Sequence, residues 1–67
     1  MNLGNNVKEK RIERDLTQKE LAKYADITPA MVNYIESGTK IPSLAVTIKM
    51  ADVLRCSIDW LVGRKVS

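Results

Sequence analysis

The chain has 67 residues, with 11 Lys and Arg against 8 Asp and Glu, so its formal charge of +3 is too modest to name a polyanionic partner unaided. A domain this short buries only about 60% of the surface that its unfolded form exposes, and without phenylalanine its core must be aliphatic. A single cysteine, Cys56, excludes an internal disulfide, the lack of histidine removes Cys/His metal clusters, and no apolar run approaches the roughly 18 residues of a membrane span.

Taken in chain order, the pattern predicts five helices and no strand within one domain spanning residues 1–67. The first runs from about Leu3 or Asn5 to Arg14, with Val7 and Ile12 among its apolar positions. Together with Lys19 and Lys23, its Lys8, Lys10, Arg11 and Arg14 crowd positive charge into the first third of the chain. Thr17 opens the second helix, about Gln18 to Ala25: its hydroxyl can satisfy a free first-turn N–H while Glu20 reaches back, which is a capping box. Ala25, Asp26 and Ile27 then leave room for a tight turn, and the small Ala22 permits close helix approach. Thr28-Pro29 starts the third helix, about Pro29 to Ser37, with a cap followed by the one position where proline's missing N–H costs nothing. Two short helices meeting at such a corner describe a helix-turn-helix.

Ser37-Gly38 is a C-terminal stop, because glycine adopts the left-handed conformation freely. Thr39 to Pro42 form a loop, and Ser43 caps a fourth helix from Leu44 to Leu54. The apolar set of that helix (Leu44, Val46, Ile48, Met50, Ala51, Val53, Leu54) covers more than one face, as expected of a central element. Ser57 caps a short fifth helix, Ile58 to about Val62, ended by Gly63, and Trp60 and Leu61 are expected to close the core from it. Cys56 is read as a packing residue rather than a redox sensor.

Arg11, Leu16-Thr17-Gln18, Glu20-Leu21-Ala22, Ile35-Glu36-Ser37-Gly38, Pro42-Ser43-Leu44 and Ser57-Ile58-Asp59-Trp60-Leu61 occur in an order and spacing that resembles the XRE family, that of Cro and the lambdoid phage repressors. Each piece is weak alone, but together they run from Val7 to Gly63. The resemblance implies a compact five-helix bundle of the lambda-repressor-like DNA-binding type. It also implies that Gln18 contacts a phosphate and braces the recognition helix at its N-terminal end. Thr28, Pro29, Ala30, Asn33 and Tyr34 fall where family members face base edges and flanking phosphates, and Thr39 and Lys40 where they anchor to the DNA backbone. Asn33 is the first choice as base reader, since asparagine pairs bidentately with adenine; the plainer reading is a solvated amide. Tyr34 offers a ring to a thymine methyl and a hydroxyl to a phosphate, or packs on the neighbouring loop. Arg11 and Glu36 occupy positions that pair across the first and third helices in the family, a structural ion pair. Three positions depart from the pattern: Asp26 where glycine is usual in the turn, Arg55 where glycine or asparagine ends the fourth helix, and Pro29-Ala30 in place of long polar side chains.

These features predict a prokaryotic or phage-encoded, cytoplasmic transcriptional regulator that binds double-stranded DNA. A repressor is expected, acting as a homodimer on a near-palindromic operator, with dimerisation confined to the DNA as one option. Ile58, Val62 and Val66 are candidates for the dimer contact. The alternative is a protein-binding module, such as an antitoxin or antirepressor partner, built on the same fold. Neither a catalytic residue, a metal nor a cofactor is expected, because no constellation supports acid–base or phosphoryl chemistry.

Overall fold

The computed structural model describes residues 2–63 and contains, among them, five α-helices and no strand. They are α1 (Leu3–Glu13), α2 (Gln18–Ala25), α3 (Pro29–Glu36), α4 (Leu44–Leu54) and α5 (Ile58–Val62). Four starts share one device: the hydroxyls of Thr17, Thr28, Ser43 and Ser57 accept from the N–H groups of Glu20, Met31, Val46 and Trp60. Glu20 completes the box at α2 by accepting from the Thr17 N–H at 2.9 Å. Pro29 opens α3.

Four ends share another device. Asp15, Asp26, Gly38 and Arg55 each have positive φ. The residue after each donates its N–H back over the last helical turn: Leu16 to the Arg11 carbonyl, Ile27 to Ala22, Thr39 to Tyr34 and Cys56 to Ala51, at 2.8–3.1 Å. This left-handed cap is usually a glycine followed by an apolar residue packed on the helix. Of these four, position 38 alone is glycine, but Leu16, Ile27 and Cys56 supply the apolar contact by packing against the core.

α1 acts as a spine. Its Gly4 lies so close to the end of α3 that an added Cβ would sit 2.5 Å from the Ile35 carbonyl oxygen and 2.7 Å from that of Glu36. Asn6 Nδ2 donates to the carbonyls of Trp60 and Leu61, covering the end of α5. Arg14 donates to the Leu54 carbonyl at 2.9 Å and the Arg55 carbonyl at 3.2 Å, covering the end of α4. The core beneath is aliphatic: Leu3, Val7, Leu21, Ala22, Ala25, Val32, Ile35, Met50, Ala51, Leu54 and Leu61. Thr47 is buried as well, and its hydroxyl donates to the Ser43 carbonyl at 2.8 Å.

Two expectations about packing need correction. Trp60 does not close the core; it is 39% exposed, with Lys10 Nζ 4.6 Å from its ring centroid. A five-residue helix turns one face inward, Leu61 occupies that face, and the indole is left against the flank of α1. Nor is α4 buried around most of its surface. Thr47, Met50, Ala51 and Leu54 face inward, whereas Leu44 is 70% and Ile48 41% exposed.

Candidate nucleic-acid interface

α3 turns Val32 and Ile35 into the core and half-buries Met31, so the 3.6-residue period leaves Pro29, Ala30, Asn33 and Tyr34 exposed on one side. With the Thr28 cap before them, these residues form a continuous neutral surface. Thr28 Oγ1 accepts from the Met31 N–H at 3.1 Å. The corner beneath α3 is tight because Ala22 and Ala25 are buried and Asp26 takes the left-handed conformation (φ 58°, ψ 44°). Aspartate tolerates that region better than most non-glycine residues. Its carboxylate also faces Lys49 Nζ at 3.7 Å on the surface.

Behind the exposed face, three helices are tied together by one carboxylate. Arg11 Nε donates to Glu36 Oε2 at 2.7 Å, and Nη2 to Oε1 at 3.2 Å, a bidentate contact. Gln18 Nε2 donates to the same Oε1 at 3.1 Å, and Arg11 Nη1 to the Leu16 carbonyl at 2.8 Å. The Arg11 and Glu36 side chains are only 12% and 4% exposed. A charge so far from water is tolerated when its partners are in place. Gln18 therefore braces the end of α3 opposite to the one expected. It joins Glu36, the last residue of α3, because the buried carboxylate there attracts the amide donor.

The loop after α3 is organised by the Tyr34 carbonyl, which accepts from the N–H groups of Thr39 (2.8 Å) and Lys40 (3.2 Å) and from the Ser37 hydroxyl (3.1 Å). Ser37 Oγ and Thr39 Oγ1 lie 2.8 Å apart. Gly38 allows this reversal, with φ 81°. As a result Lys40 Nζ stands 5.1 Å from the Tyr34 ring centroid, within cation–π range. α3 itself carries neither Lys nor Arg, so Lys40 is the cation at the C-terminal edge of its exposed face.

The DNA-facing candidates Gln18, Thr28, Pro29, Ala30, Asn33, Tyr34, Thr39 and Lys40 thus lie on α3, the loop after it and the first turn of α2. Two of the dimer candidates fall on α5, four residues apart. Ile58 is exposed, Val62 packs against the core, and Val66 lies outside the described residues. Sequence reasoning offered Tyr34 packing on the neighbouring loop without naming Lys40, and it missed the helix-covering roles of Asn6 and Arg14 and the close approach at Gly4. For Gly4 a signal existed: a glycine inside a helical pattern marks close packing or a break.

Two groups at or near these elements titrate away from their ordinary values. The Thr17 N–H, and after it the Thr17 hydroxyl, stabilise the Glu20 carboxylate and hold it below the usual range. Burial pushes the Cys56 thiol up, against smaller opposing effects of Lys10 and Arg14. Among the described residues no group of three or more His, Cys, Asp or Glu could hold a metal ion, and no helix is long and apolar enough to cross a membrane.

Residues 7–61 match the helix-turn-helix family profile. Over 56 residues the chain is 39% identical to an uncharacterized HTH-type transcriptional regulator, YqaF, of Bacillus subtilis (strain 168), covering 84% of this chain and 71% of that protein. In fold it is similar to the P22 c2 repressor protein, solved in complex with synthetic operator 9T in the presence of Tl+. That likeness has a TM-score of 0.87 at 20% identity, over 91% of this chain and 92% of the repressor chain.

Proposed function

This chain belongs to the helix-turn-helix family of XRE-type, DNA-binding transcription regulators, a non-enzymatic class, and from that premise we propose that it is a repressor which reads double-stranded DNA with α3 in the major groove. The observation that carries this reading is the neutral exposed face of Thr28, Pro29, Ala30, Asn33 and Tyr34 on a helix held from behind by Arg11, Glu36 and Gln18. A major groove admits one α-helix, and base edges demand side chains presented in fixed register. Asn33 supplies an amide for adenine. Lys40 and Thr39 at one edge, and the first turn of α2 at the other, stand ready for phosphates, which position the protein without specifying sequence. Two copies would bind a near-palindromic operator with recognition helices about 34 Å apart on one face of the duplex. The P22 c2 repressor protein, similar in fold, was solved in complex with a synthetic operator, which supports double-stranded DNA as the partner.

The test is a gel shift of the whole chain on duplex DNA across a salt series. Affinity should fall linearly in logarithmic terms, with a slope of about 0.9 for each neutralised phosphate. Lys40→Met should reduce that slope by about 1 per copy. Asn33→Ala should relax discrimination at the adenine it contacts while leaving the salt slope in place. DNA binding that ignores both substitutions would overturn the proposal.

A second reading has one observation in its favour. Ile41, Leu44 and Ile48 are 78%, 70% and 41% exposed, so the loop before α4 and its outer side carry apolar surface that a protein partner could cover. Tight binding to a protein together with no DNA affinity would favour that module.

A further inference from the structure

The exposed face of α3 differs from a general DNA-binding helix in what it lacks. Guanine is most often read by a guanidinium or ammonium fork on O6 and N7, and cytosine by a carboxylate that accepts from its N4 amine. α3 has no Arg or Lys, and its one acidic residue, Glu36, is turned inward and occupied by Arg11 and Gln18. The nearby cation, Lys40, is held against the Tyr34 ring at the C-terminal edge of the helix. Of the hydroxyls on this side, Thr28 accepts from the Met31 N–H and Ser37 donates to the Tyr34 carbonyl, while the Tyr34 ring lies beside Lys40 at the edge. At the middle of this face stand the Asn33 amide, the Pro29 ring and the Ala30 methyl, all exposed.

We propose that the half-site read by α3 is built of A·T pairs, with adenine recognised by Asn33 and thymine C5-methyl groups by Pro29 and Ala30. The inference rests on the DNA-binding reading above and names the sequence class that reading would take. An asparagine amide matches the N6 donor and N7 acceptor of adenine, and the thymine methyl is the one apolar group that a base pair shows in the major groove. Apolar Pro29 and Ala30 gain by covering that methyl and offer nothing to the polar edge of a G·C pair.

The experiment is selection of bound duplexes from a random pool with the full chain, followed by binding assays on the selected duplex. A·T pairs at the centre of each half-site are expected. Replacing one thymine of that centre by uracil removes only the methyl, and should weaken binding about fourfold for a methyl that is packed. Asn33→Ala should lower discrimination at one adenine position per half-site by roughly 5- to 150-fold while the helical circular dichroism is unchanged. Half-site centres rich in G·C, or uracil substitution without effect throughout, would overturn this inference and leave DNA binding standing. Salt-sensitive binding without any sequence enrichment would do the same. No binding to any duplex would remove this inference and the proposed function together.

Discussion

Arg11→Met is the substitution that most directly probes what holds α3 in place. It removes a guanidinium that is 12% exposed and leaves the Glu36 carboxylate, 4% exposed, with the Gln18 amide as its remaining side-chain donor. It also frees the Leu16 carbonyl, which follows the left-handed cap at the end of α1. Breaking a buried pair from one side costs about 3–5 kcal/mol, because the stranded charge keeps its desolvation penalty. A chain of 67 residues has a total stability of roughly 3–10 kcal/mol at the typical value per residue. Arg11→Met should therefore remove about a third of it or more. Urea unfolding followed by far-ultraviolet circular dichroism measures the loss directly. Lys8→Met, an exposed neighbour on the same helix, is the control and should stay within about 0.5 kcal/mol. The double change Arg11→Met with Glu36→Leu should recover much of the deficit, since apolar replacement of both charges often costs little. An Arg11→Met deficit no larger than that of Lys8→Met would refute the reasoning.

Gly4→Ala should destabilise despite alanine's better helix propensity, because the new Cβ meets main-chain oxygens at 2.5 and 2.7 Å that cannot rotate away; a loss of about 1–3 kcal/mol in the same urea assay is expected. Arg55→Gly should stabilise by roughly 0.5–1 kcal/mol, since it relieves a left-handed non-glycine residue at φ 55° while keeping the carbonyl that Arg14 contacts. Glu20 has a folded-state value depressed by the Thr17 cap, so its contribution is in place above the ordinary carboxylate value and is lost as pH falls through the depressed one. Melting temperatures of wild type and Glu20→Gln, measured down an acid series, should accordingly converge as pH falls; a constant difference would contradict the cap. The Cys56 thiol, raised by burial, should react with an alkylating reagent at neutral pH more slowly than in the urea-unfolded chain.

What could be read from the chain follows the range of the interactions involved. Helix starts are encoded locally: Thr17 with Glu20, Thr28 with Pro29, and Ser43 and Ser57 each sit three residues before the N–H they cap. The left-handed end at Gly38 was legible for the same reason, and Asp26 and Arg55 stood out as departures from a family pattern. Asp15 gave no such sign, since an aspartate after a helix is equally at home in an ordinary turn. Contacts that join distant segments were not readable. Arg14 looked like one more basic residue until the Leu54 carbonyl, forty positions away, came within 2.9 Å. Asn6 likewise finds its purpose at Trp60 and Leu61. Trp60 was expected inside because indoles usually bury area, but the length of α5 allows one inward position and Leu61 holds it. On the candidate interface, the family resemblance placed Asn33 and Tyr34 on the side facing DNA, and both are exposed. The pairing of Tyr34 with Lys40 depends on a loop reversal that no residue pattern specified.

A titration of isotope-labelled protein with a duplex taken from the selected pool, read by backbone amide chemical shifts, addresses the central claim most directly. The largest changes should cluster at Thr28 to Tyr34, at Thr39 and Lys40, and at Gln18. Changes confined to Ile41, Leu44 and Ile48, or to α5, with α3 unmoved at saturation, would contradict it.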